Sequence, residues 1–302
     1  MLTGVHFLLT YACTGECDHC FLYCGPAAAG TFTLATLEAA IAQARAVPTV
    51  EEVYFEGGEP FLFYPVMVEG IRAARELGLR AGVVTNAYWA TSAADAALWL
   101  RPLRELGVGD LSISEDEFHG ETGDDTPTRN AYAAAVNLGI PVGTICIDKP
   151  AVTTPAEGAE GGRGEPVVGG GALFRGRAAD KLTEGLPRKA AASFAECPHE
   201  DLKSPKRVHI DPQGNVHVCQ GISIGNIWVT PLADLMRGYD PSAHPIVAPL
   251  VAGGPARLAR EYDLDLGGDG FVDACHLCFL ARRALLQRFP AYLAPPQVYG
   301  VE

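Results

Sequence analysis

A pattern of alternating strand and helix signals between Gly4 and Ile147 constrains the fold of this chain more than any other feature. Short apolar segments rich in Val, Ile and Phe alternate there with polar turns and helical stretches, as in stacked βα units. The predicted strands cover residues 5–10, 52–55, 80–85, 110–114 and 142–147, and the predicted helices cover 33–46, 65–77, 93–106 and 127–138. Right-handed crossovers between such units give a parallel sheet, open or curled into a partial barrel, with functional groups at the carboxyl ends of its strands.

The next part of the chain is predicted to complete this barrel. Residues 150–171 are rich in Gly, Pro, Glu and Thr, which predicts a surface loop or lid. A sixth strand at 172–174 and a helix from about Arg177 would complete a partial (β/α)6 barrel of parallel strands over residues 1–187. The predicted fold class is therefore α/β.

Residues 188–302 are predicted to form a smaller C-terminal α+β module. Apolar segments at 208–211 and 216–219 flank Pro212-Gln213-Gly214-Asn215, which is typical of a hairpin. Helical stretches follow near residues 231–237, 255–262 and 276–289.

Composition and charge exclude several classes of protein. With 302 residues, 48% of them hydrophobic, the chain can bury a full-sized core. Its net charge of -13 and its lack of a basic run argue against a nucleic-acid partner. Residues 5–10 are too short and too polar at their flanks for a signal peptide, and no apolar run of about 18 residues occurs, so we expect a cytoplasmic protein without a membrane partner. Its nine cysteines are then better explained as ligands of a metal or cluster than as disulfides.

Three of these cysteines, Cys13, Cys17 and Cys20, stand directly after the first predicted strand. Three thiolates in one short loop can each bind a different iron of a 4Fe-4S cluster, which leaves the fourth iron open to another ligand. A structural zinc site is the alternative, with Cys24 or His19 as the fourth ligand.

This cysteine triplet, Cys13-x3-Cys17-x2-Cys20, resembles the signature of the radical S-adenosylmethionine (SAM) superfamily. The resemblance extends over residues 1 to about 180. It implies that the amino and carboxyl groups of SAM bind the open iron. It also implies that His19, the residue before the last cysteine, lies by the adenine, where an aromatic side chain is common.

A second motif of the same superfamily follows the second predicted strand, where Gly57-Gly58-Glu59-Pro60 matches its GGEP sequence. Glycines let the backbone approach a ligand, and carbonyls or the Glu59 carboxylate can accept hydrogen bonds from an ammonium group. The resemblance implies that this loop holds the amino group of SAM. A tight turn without a ligand is the alternative for these four residues taken alone.

Polar residues at the ends of the next two strands occupy positions where superfamily members contact SAM. Thr85 and Asn86 follow the third predicted strand, and Ser112 and Ser114 end the fourth. The resemblance implies contacts with the ribose and the methionine carboxylate, although polar strand ends are also common without a ligand.

Two arginines, Arg175 and Arg177, follow the sixth predicted strand. One of their guanidinium groups is expected to form a bidentate pair with the SAM carboxylate. A surface salt bridge is the alternative.

Four further cysteines, Cys197, Cys219, Cys275 and Cys278, lie beyond the predicted barrel. The segment IDPQGNVHVCQGISIGNIW around Cys219 resembles the hairpin of SPASM/twitch extensions, which carry auxiliary 4Fe-4S clusters. A complete SPASM domain uses about seven cysteines for two clusters, so four cysteines fit the twitch variety with one fully ligated cluster. A four-cysteine zinc site is the alternative.

The resemblance implies an enzyme that cleaves SAM reductively to a 5'-deoxyadenosyl radical, which abstracts hydrogen from a peptide, protein or small-molecule substrate. The auxiliary cluster is expected to transfer electrons, and a flavodoxin- or ferredoxin-type protein to supply the reductant. The acidic segment 115–119 is expected to be a solvated loop, with a proton acceptor as the other interpretation. An iron-sulfur carrier without SAM chemistry and a zinc-stabilised binding protein are the competing classes.

Overall fold

The computed structural model describes residues 1–120, 126–154 and 166–301. Five βα-type strands occupy the first half: β1 (Gly4–Thr10), β2 (Glu52–Gly57), β3 (Arg80–Thr85), β4 (Asp110–Ser114) and β5 (Val142–Ile145). The helices between them are α1 (Leu34–Arg45), α2 (Tyr64–Glu76), α3 (Ala93–Glu105) and α4 (Pro127–Leu138). All five strands are parallel, and each prediction made for this half matches an observed element within a few residues.

Local sequence explains where these helices start. The Thr33 side chain accepts a hydrogen bond from the Thr36 amide at the start of α1, and Ser92 and Thr126 cap α3 and α4 in the same way. Pro127 stands in the first turn of α4, where its missing N–H costs nothing.

The remaining elements extend the same architecture. They are β6 (Ala151–Thr153), β7 (Val167–Gly169), α5 (Arg177–Lys181), β8 (Arg207–Ile210), β9 (Asn215–Cys219), β10 (Ile222–Asn226), α6 (Leu232–Gly238), α7 (Val247–Glu261) and α8 (Ala274–Ala284). The central sheet has the strand order β10-β9-β8-β1-β2-β3-β4-β5. It is mostly parallel and open rather than closed into a barrel, which confirms the predicted α/β class.

The predicted sixth strand at 172–174 is wrong, because the place beside β1 belongs to β8. Gly4–Phe7 pair in parallel with Arg207–Ile210, so the predicted C-terminal hairpin β8–β9 is part of the central sheet. The chain before 172–174 turns at Gly170 and Gly171, both with positive φ, which ends β7.

The predicted lid, residues 150–171, contains the short antiparallel pair β6–β7, which forms a two-stranded sheet of its own. Residues 155–165 of this prediction lie outside the described residues.

Further along, α7 is longer than predicted because it joins two helical segments across Gly253 and Gly254. A Cβ atom on Gly254, whose φ is +62°, would stand 2.3 Å from the Glu196 amide nitrogen, so only glycine fits this kink. In the portions of the chain that the structure describes, no helix is both long and apolar enough to cross a bilayer.

The two faces of β1 differ in character. Val5 and Phe7 are fully buried in the core formed with the helices. His6 points to the opposite face of the sheet, because successive side chains of a strand alternate. This second face, called the concave face below, carries His6 and Leu8 and borders the cavities.

Candidate active site

One cavity at the carboxyl ends of β1–β5 brings most of the predicted site residues together. Those that line it are Cys13, Cys17, His19, Cys20, Gly57, Gly58, Thr85, Asn86 and Ser114. We call it the cysteine cavity. Polar residues gather at this edge because all five parallel strands end there.

The loop that carries the cysteine triplet is held by its own backbone. The Cys13 amide donates to the Gly25 carbonyl at 3.1 Å, and the Cys20 amide donates to the Cys17 carbonyl at 3.0 Å. The Cys24 amide lies 3.4 Å from Cys20 Sγ. A hydrogen bond from the Cys24 thiol is the main cause that lowers the pKa of Cys20, to about 6. Cys20 is therefore ready to act as a thiolate ligand near neutral pH.

The GGEP loop is pressed against the same cysteine loop. The Gly58 amide donates to the Thr10 carbonyl at 2.7 Å, and the Glu59 amide donates to the Ala12 carbonyl at 2.9 Å. A Cβ atom on Gly58 would stand 2.0 Å from the Ala12 carbonyl oxygen. Only a glycine allows the two loops to approach this closely.

The Glu59 carboxylate is buried and already has partners. It accepts hydrogen bonds from the Phe61 amide, the Thr85 hydroxyl and the Asn86 amide at 2.7–3.0 Å. Burial raises its pKa to about 7. Glu59 therefore connects the loops after β2 and β3. The loop backbone and the Glu59 carboxylate were both expected to accept hydrogen bonds from an ammonium group, but only Gly57 and Gly58 line the cavity.

Asn86, whose amide is bound by Glu59, also contacts the loop of the cysteine triplet. Its side-chain Nδ2 donates to Thr14 Oγ1 at 2.9 Å and lies 3.7 Å from Cys13 Sγ. Thr85, although it lines the cavity, accepts hydrogen bonds from the Ala87 amide and the Trp89 indole.

Arg177 clamps the cysteine loop rather than facing the cavity. Its Nη1 donates to the Cys17 carbonyl at 2.7 Å, and its Nη2 donates to the Cys24 carbonyl at 2.8 Å. Arg175 donates from Nη1 to Cys219 Sγ at 3.2 Å. Both guanidinium groups therefore have other partners here, and the expected pairing of Arg175 or Arg177 with the SAM carboxylate stays a prediction.

We expect Arg177→Lys to lower the free energy of unfolding by about 1–3 kcal/mol, because one ammonium group cannot span both carbonyls and a buried acceptor is left unpaired. Thermal unfolding of the apoprotein without oxygen would measure the loss. The control is Arg237→Lys, since Arg237 is exposed and pairs with Asp234 on its own helix. Equal losses in the two variants would contradict the clamp.

Asp116 and His119, which follow β4, lie at the site although the sequence predicted a solvated loop there. Asp116 is only 4% exposed, and its carboxylate lies 2.8 Å from His119 Nδ1 and accepts a hydrogen bond from the Ile147 amide. Burial opposes protonation of His119, but hydrogen bonds to Asp116 and Cys17 raise its pKa to about 10. Asp116 and His119 line the cysteine cavity, so the expectation of a solvated loop is wrong for them.

His19 lies beside this pair. Its ring stands 4.6 Å from that of Phe118 and 5.0 Å from that of His119, measured between centroids. Its buried Nδ1 has no hydrogen-bond partner among the described residues. A buried polar atom without a partner at a cavity wall indicates room for a ligand.

The second cysteine set gathers around two buried arginines. Cys275 lies within electrostatic range of Cys219 and Cys278, and Cys278 within range of Cys197. Arg282, 1% exposed, lies against Cys278 and donates to the Gln220 carbonyl at 2.8 Å. Within the described residues no carboxylate lies in ion-pair distance of Arg282. Its buried positive charge is balanced if the cysteines are thiolates.

Ser112 is separated from the cysteine cavity. Its hydroxyl donates to Asp110 at 2.9 Å, and it lines a second cavity on the concave face together with His6, Tyr54 and Glu56. We call this the lumen cavity. Ser112 lies two residues before Ser114 on the same face of β4. The expected contact of Ser112 with SAM stays a prediction.

Comparison with known proteins finds a family match for the N-terminal part. Residues 7–147, just under half of the chain, match the family model of the radical SAM superfamily, and the prediction of an enzyme is confirmed. The putative peptide biosynthesis protein YydG of Bacillus subtilis (strain 168) is 24% identical over 107 residues. That match covers 35% of this chain and only 34% of YydG, about a third of its length.

Two solved structures align with most of this chain, and the first of them shows the same fold. BtrN in complex with AdoMet and 2-DOIA aligns over 79% of this chain and 83% of BtrN, with a TM-score of 0.51 and 15% identity. The structure of native anSMEcpe with bound AdoMet and Cp18Cys peptide aligns over 96% of this chain and 98% of the anSMEcpe chain, with a TM-score of 0.47 and 12% identity.

Proposed function

We propose that this chain is a radical SAM enzyme whose Cys13, Cys17 and Cys20 hold a 4Fe-4S cluster with one open iron. When bound there, SAM would supply a 5'-deoxyadenosyl radical that abstracts hydrogen from the substrate, after an electron from a flavodoxin- or ferredoxin-type protein. The observation that carries this proposal is the meeting of the triplet, the Gly57-Gly58 segment and the ends of β3 and β4 in one cavity of a radical SAM domain.

The residues of the cysteine cavity fit the 4Fe-4S cluster and SAM. The backbone of Gly57 and Gly58 would accept the amino group of SAM, and Asn86 and Ser114 would bind its other polar parts. His19 would stack near the adenine, with its unpartnered Nδ1 available to a ligand atom. Asp116 and His119 would hold a proton and a positive charge at the wall.

We further propose that Cys197, Cys219, Cys275 and Cys278 bind an auxiliary 4Fe-4S cluster, within a twitch-like module over residues 188–302. Around one zinc ion, four thiolates stand about 3.8 Å apart. In residues 1–120, 126–154 and 166–301, no three cysteine sulfurs lie within 4.8 Å of one another. Wider spacing favours a cluster, because each thiolate binds a different iron. The division at residue 187 stays a prediction.

The substrate is proposed to be a peptide or a small molecule. The name of the relative YydG, a putative peptide biosynthesis protein, favours a peptide. The lumen cavity is the place for the reacting part of the substrate, because it shares Glu56, Val84 and Ile145 with the cysteine cavity.

Anaerobic reconstitution tests the proposal. We expect about eight irons per chain and formation of 5'-deoxyadenosine from SAM after addition of a strong reductant. Reconstituted protein with clusters but no SAM cleavage would instead indicate an electron carrier. Zinc without iron would indicate a zinc-stabilised binding protein.

A single substitution should separate the two cysteine sets. We expect Cys275→Ser to lower the iron content by about four per chain, while SAM cleavage by the N-terminal cluster is retained. Iron analysis and 5'-deoxyadenosine formation would measure both effects. Unchanged iron content in this variant, with zinc present in the wild type, would contradict the auxiliary cluster.

A further inference from the structure

Three potential metal ligands meet on the concave face of the sheet, outside both cysteine sets. His209 Nε2 lies 3.0 Å from Glu56 Oε1, and His6 Nδ1 lies 3.3 Å from Glu56 Oε2. One ligand atom from each residue lies within 4.8 Å of the other two. We call this group the His-Glu-His triad.

The strand register explains why these residues meet. His6 on β1 is paired with His209 on β8, so both side chains point to the same face. Glu56 stands two residues beyond Tyr54, the partner of His6 on β2, and therefore shares that face. The triad is thus built on three adjacent strands rather than on loops, which makes it rigid.

Two unsatisfied polar atoms belong to residues at this point. Among the described residues, four buried side-chain nitrogen or oxygen atoms have no hydrogen-bond partner. His6 Nδ1 is one of them, since its contact with Glu56 lacks hydrogen-bond direction. Gln220 Oε1 is another, and the amide of Gln220 lies 3.4 Å from His209 Nε2. Such orphan atoms in a native protein call for an ion or a water molecule.

The two nitrogen–oxygen distances of the triad, 3.0 and 3.3 Å, match those between neighbouring ligands of a metal ion. Ligand nitrogen and oxygen atoms bind a divalent metal at about 2.0–2.2 Å, so neighbouring ligands in a tetrahedral or octahedral shell stand about 3.0–3.5 Å apart. Two imidazoles and one carboxylate also form the ligand set of open divalent sites. We propose that His6, Glu56 and His209 bind a divalent metal ion.

The position of the triad indicates which ligands could bind at the coordination positions of the metal that the protein leaves free. Glu56 lines both the cysteine cavity and the lumen cavity, and His6 lines the lumen cavity. A metal held between them would face a ligand in the lumen, where hydroxyl, carboxylate or amide oxygens of a substrate are suitable donors. The metal site itself does not depend on SAM cleavage.

Titration with Mn²⁺ tests the site on the reconstituted holoenzyme with oxidised clusters. Mn²⁺ prefers nitrogen and oxygen ligands over thiolates, so the cysteine sets do not compete for it. The electron paramagnetic resonance signal of free Mn²⁺ disappears on binding. We expect about one Mn²⁺ bound per chain, and at least about tenfold weaker binding in Glu56→Gln and in His6→Asn.

His244→Gln is the matched control, because His244 is also a buried histidine but lies 3.0 Å from the Ser223 carbonyl, away from the triad. It should bind Mn²⁺ as the wild type does. Iron content reports whether each variant folds. The proposal is overturned if the wild type leaves all Mn²⁺ free, or if folded Glu56→Gln binds Mn²⁺ with unchanged affinity; the triad is then a hydrogen-bonded group only.

Discussion

Cys17→Ala is expected to abolish formation of 5'-deoxyadenosine, down to the level of a protein-free control. The substitution removes one of three thiolates but keeps the Cys17 carbonyl, which accepts hydrogen bonds from the Cys20 amide and Arg177. The loop should therefore keep its conformation while its cluster loses a ligand. Anaerobic reconstitution, iron analysis and product chromatography would measure about four irons instead of about eight.

Cys146→Ala provides the matched control for this experiment. Cys146 is exposed, and its thiol lies 3.6 Å from Asp148, outside the lining of the cysteine cavity. Iron content and SAM cleavage should equal those of the wild type. Comparable SAM cleavage by Cys17→Ala and Cys146→Ala would refute the proposed cluster site.

Gly58→Ala should weaken SAM binding by at least about tenfold and reduce turnover in parallel. The added methyl group would stand 2.0 Å from the Ala12 carbonyl oxygen, so the GGEP loop and the cysteine loop must separate. Overpacking of this kind costs about 1–3 kcal/mol, and about 1.4 kcal/mol already corresponds to a tenfold change in affinity. Equilibrium binding of SAM to the reconstituted protein would measure the effect.

The control for this loop is Gly143→Ala. Gly143 lies on β5, and no atom stands within 4 Å of the position of an added Cβ. SAM affinity should be unchanged in this variant. If Gly58→Ala binds SAM as Gly143→Ala does, the close contact of the two loops has no role in the site.

The sequence was sufficient for the first half of the fold because its signals are local. Apolar periodicity, helix caps and turn residues mark each element within a few residues, as in β3, β4 and α4, whose bounds match the prediction. The cysteine triplet and the glycine pair were also local signals. Parallel strands then bring them together, since the ends of such strands share one edge.

The pairing of strands that are distant in the chain could not be predicted from the sequence. Nothing within residues 207–210 says that they lie beside β1 rather than in a separate module, and the prediction placed a sixth strand at 172–174 instead. The same limit applies to side chains. The partners of Arg177 are carbonyls more than 150 positions away, and His209 on β8 reaches Glu56 on β2 across the strand between them, β1.

One signal for the buried pair after β4 was present but ambiguous. Asp116 and His119 are three positions apart, a spacing that lets a carboxylate and an imidazole meet in a tight turn. Because charged neighbours surround them in the sequence, a solvated loop was the simpler interpretation. Only the fold shows that these two side chains turn inward while Glu117 stays exposed.

The placement of β1 between β2 and β8 has a consequence for biogenesis. The cysteine loop leaves the ribosome more than 150 residues before its clamp Arg177 and before β8, the second neighbour of β1. Until then the nascent chain carries a bare strand edge, which invites aggregation. Delivery of iron and sulfide for the proposed cluster therefore either waits for translation to pass Arg207 or acts on thiols that the rest of the fold does not yet cover.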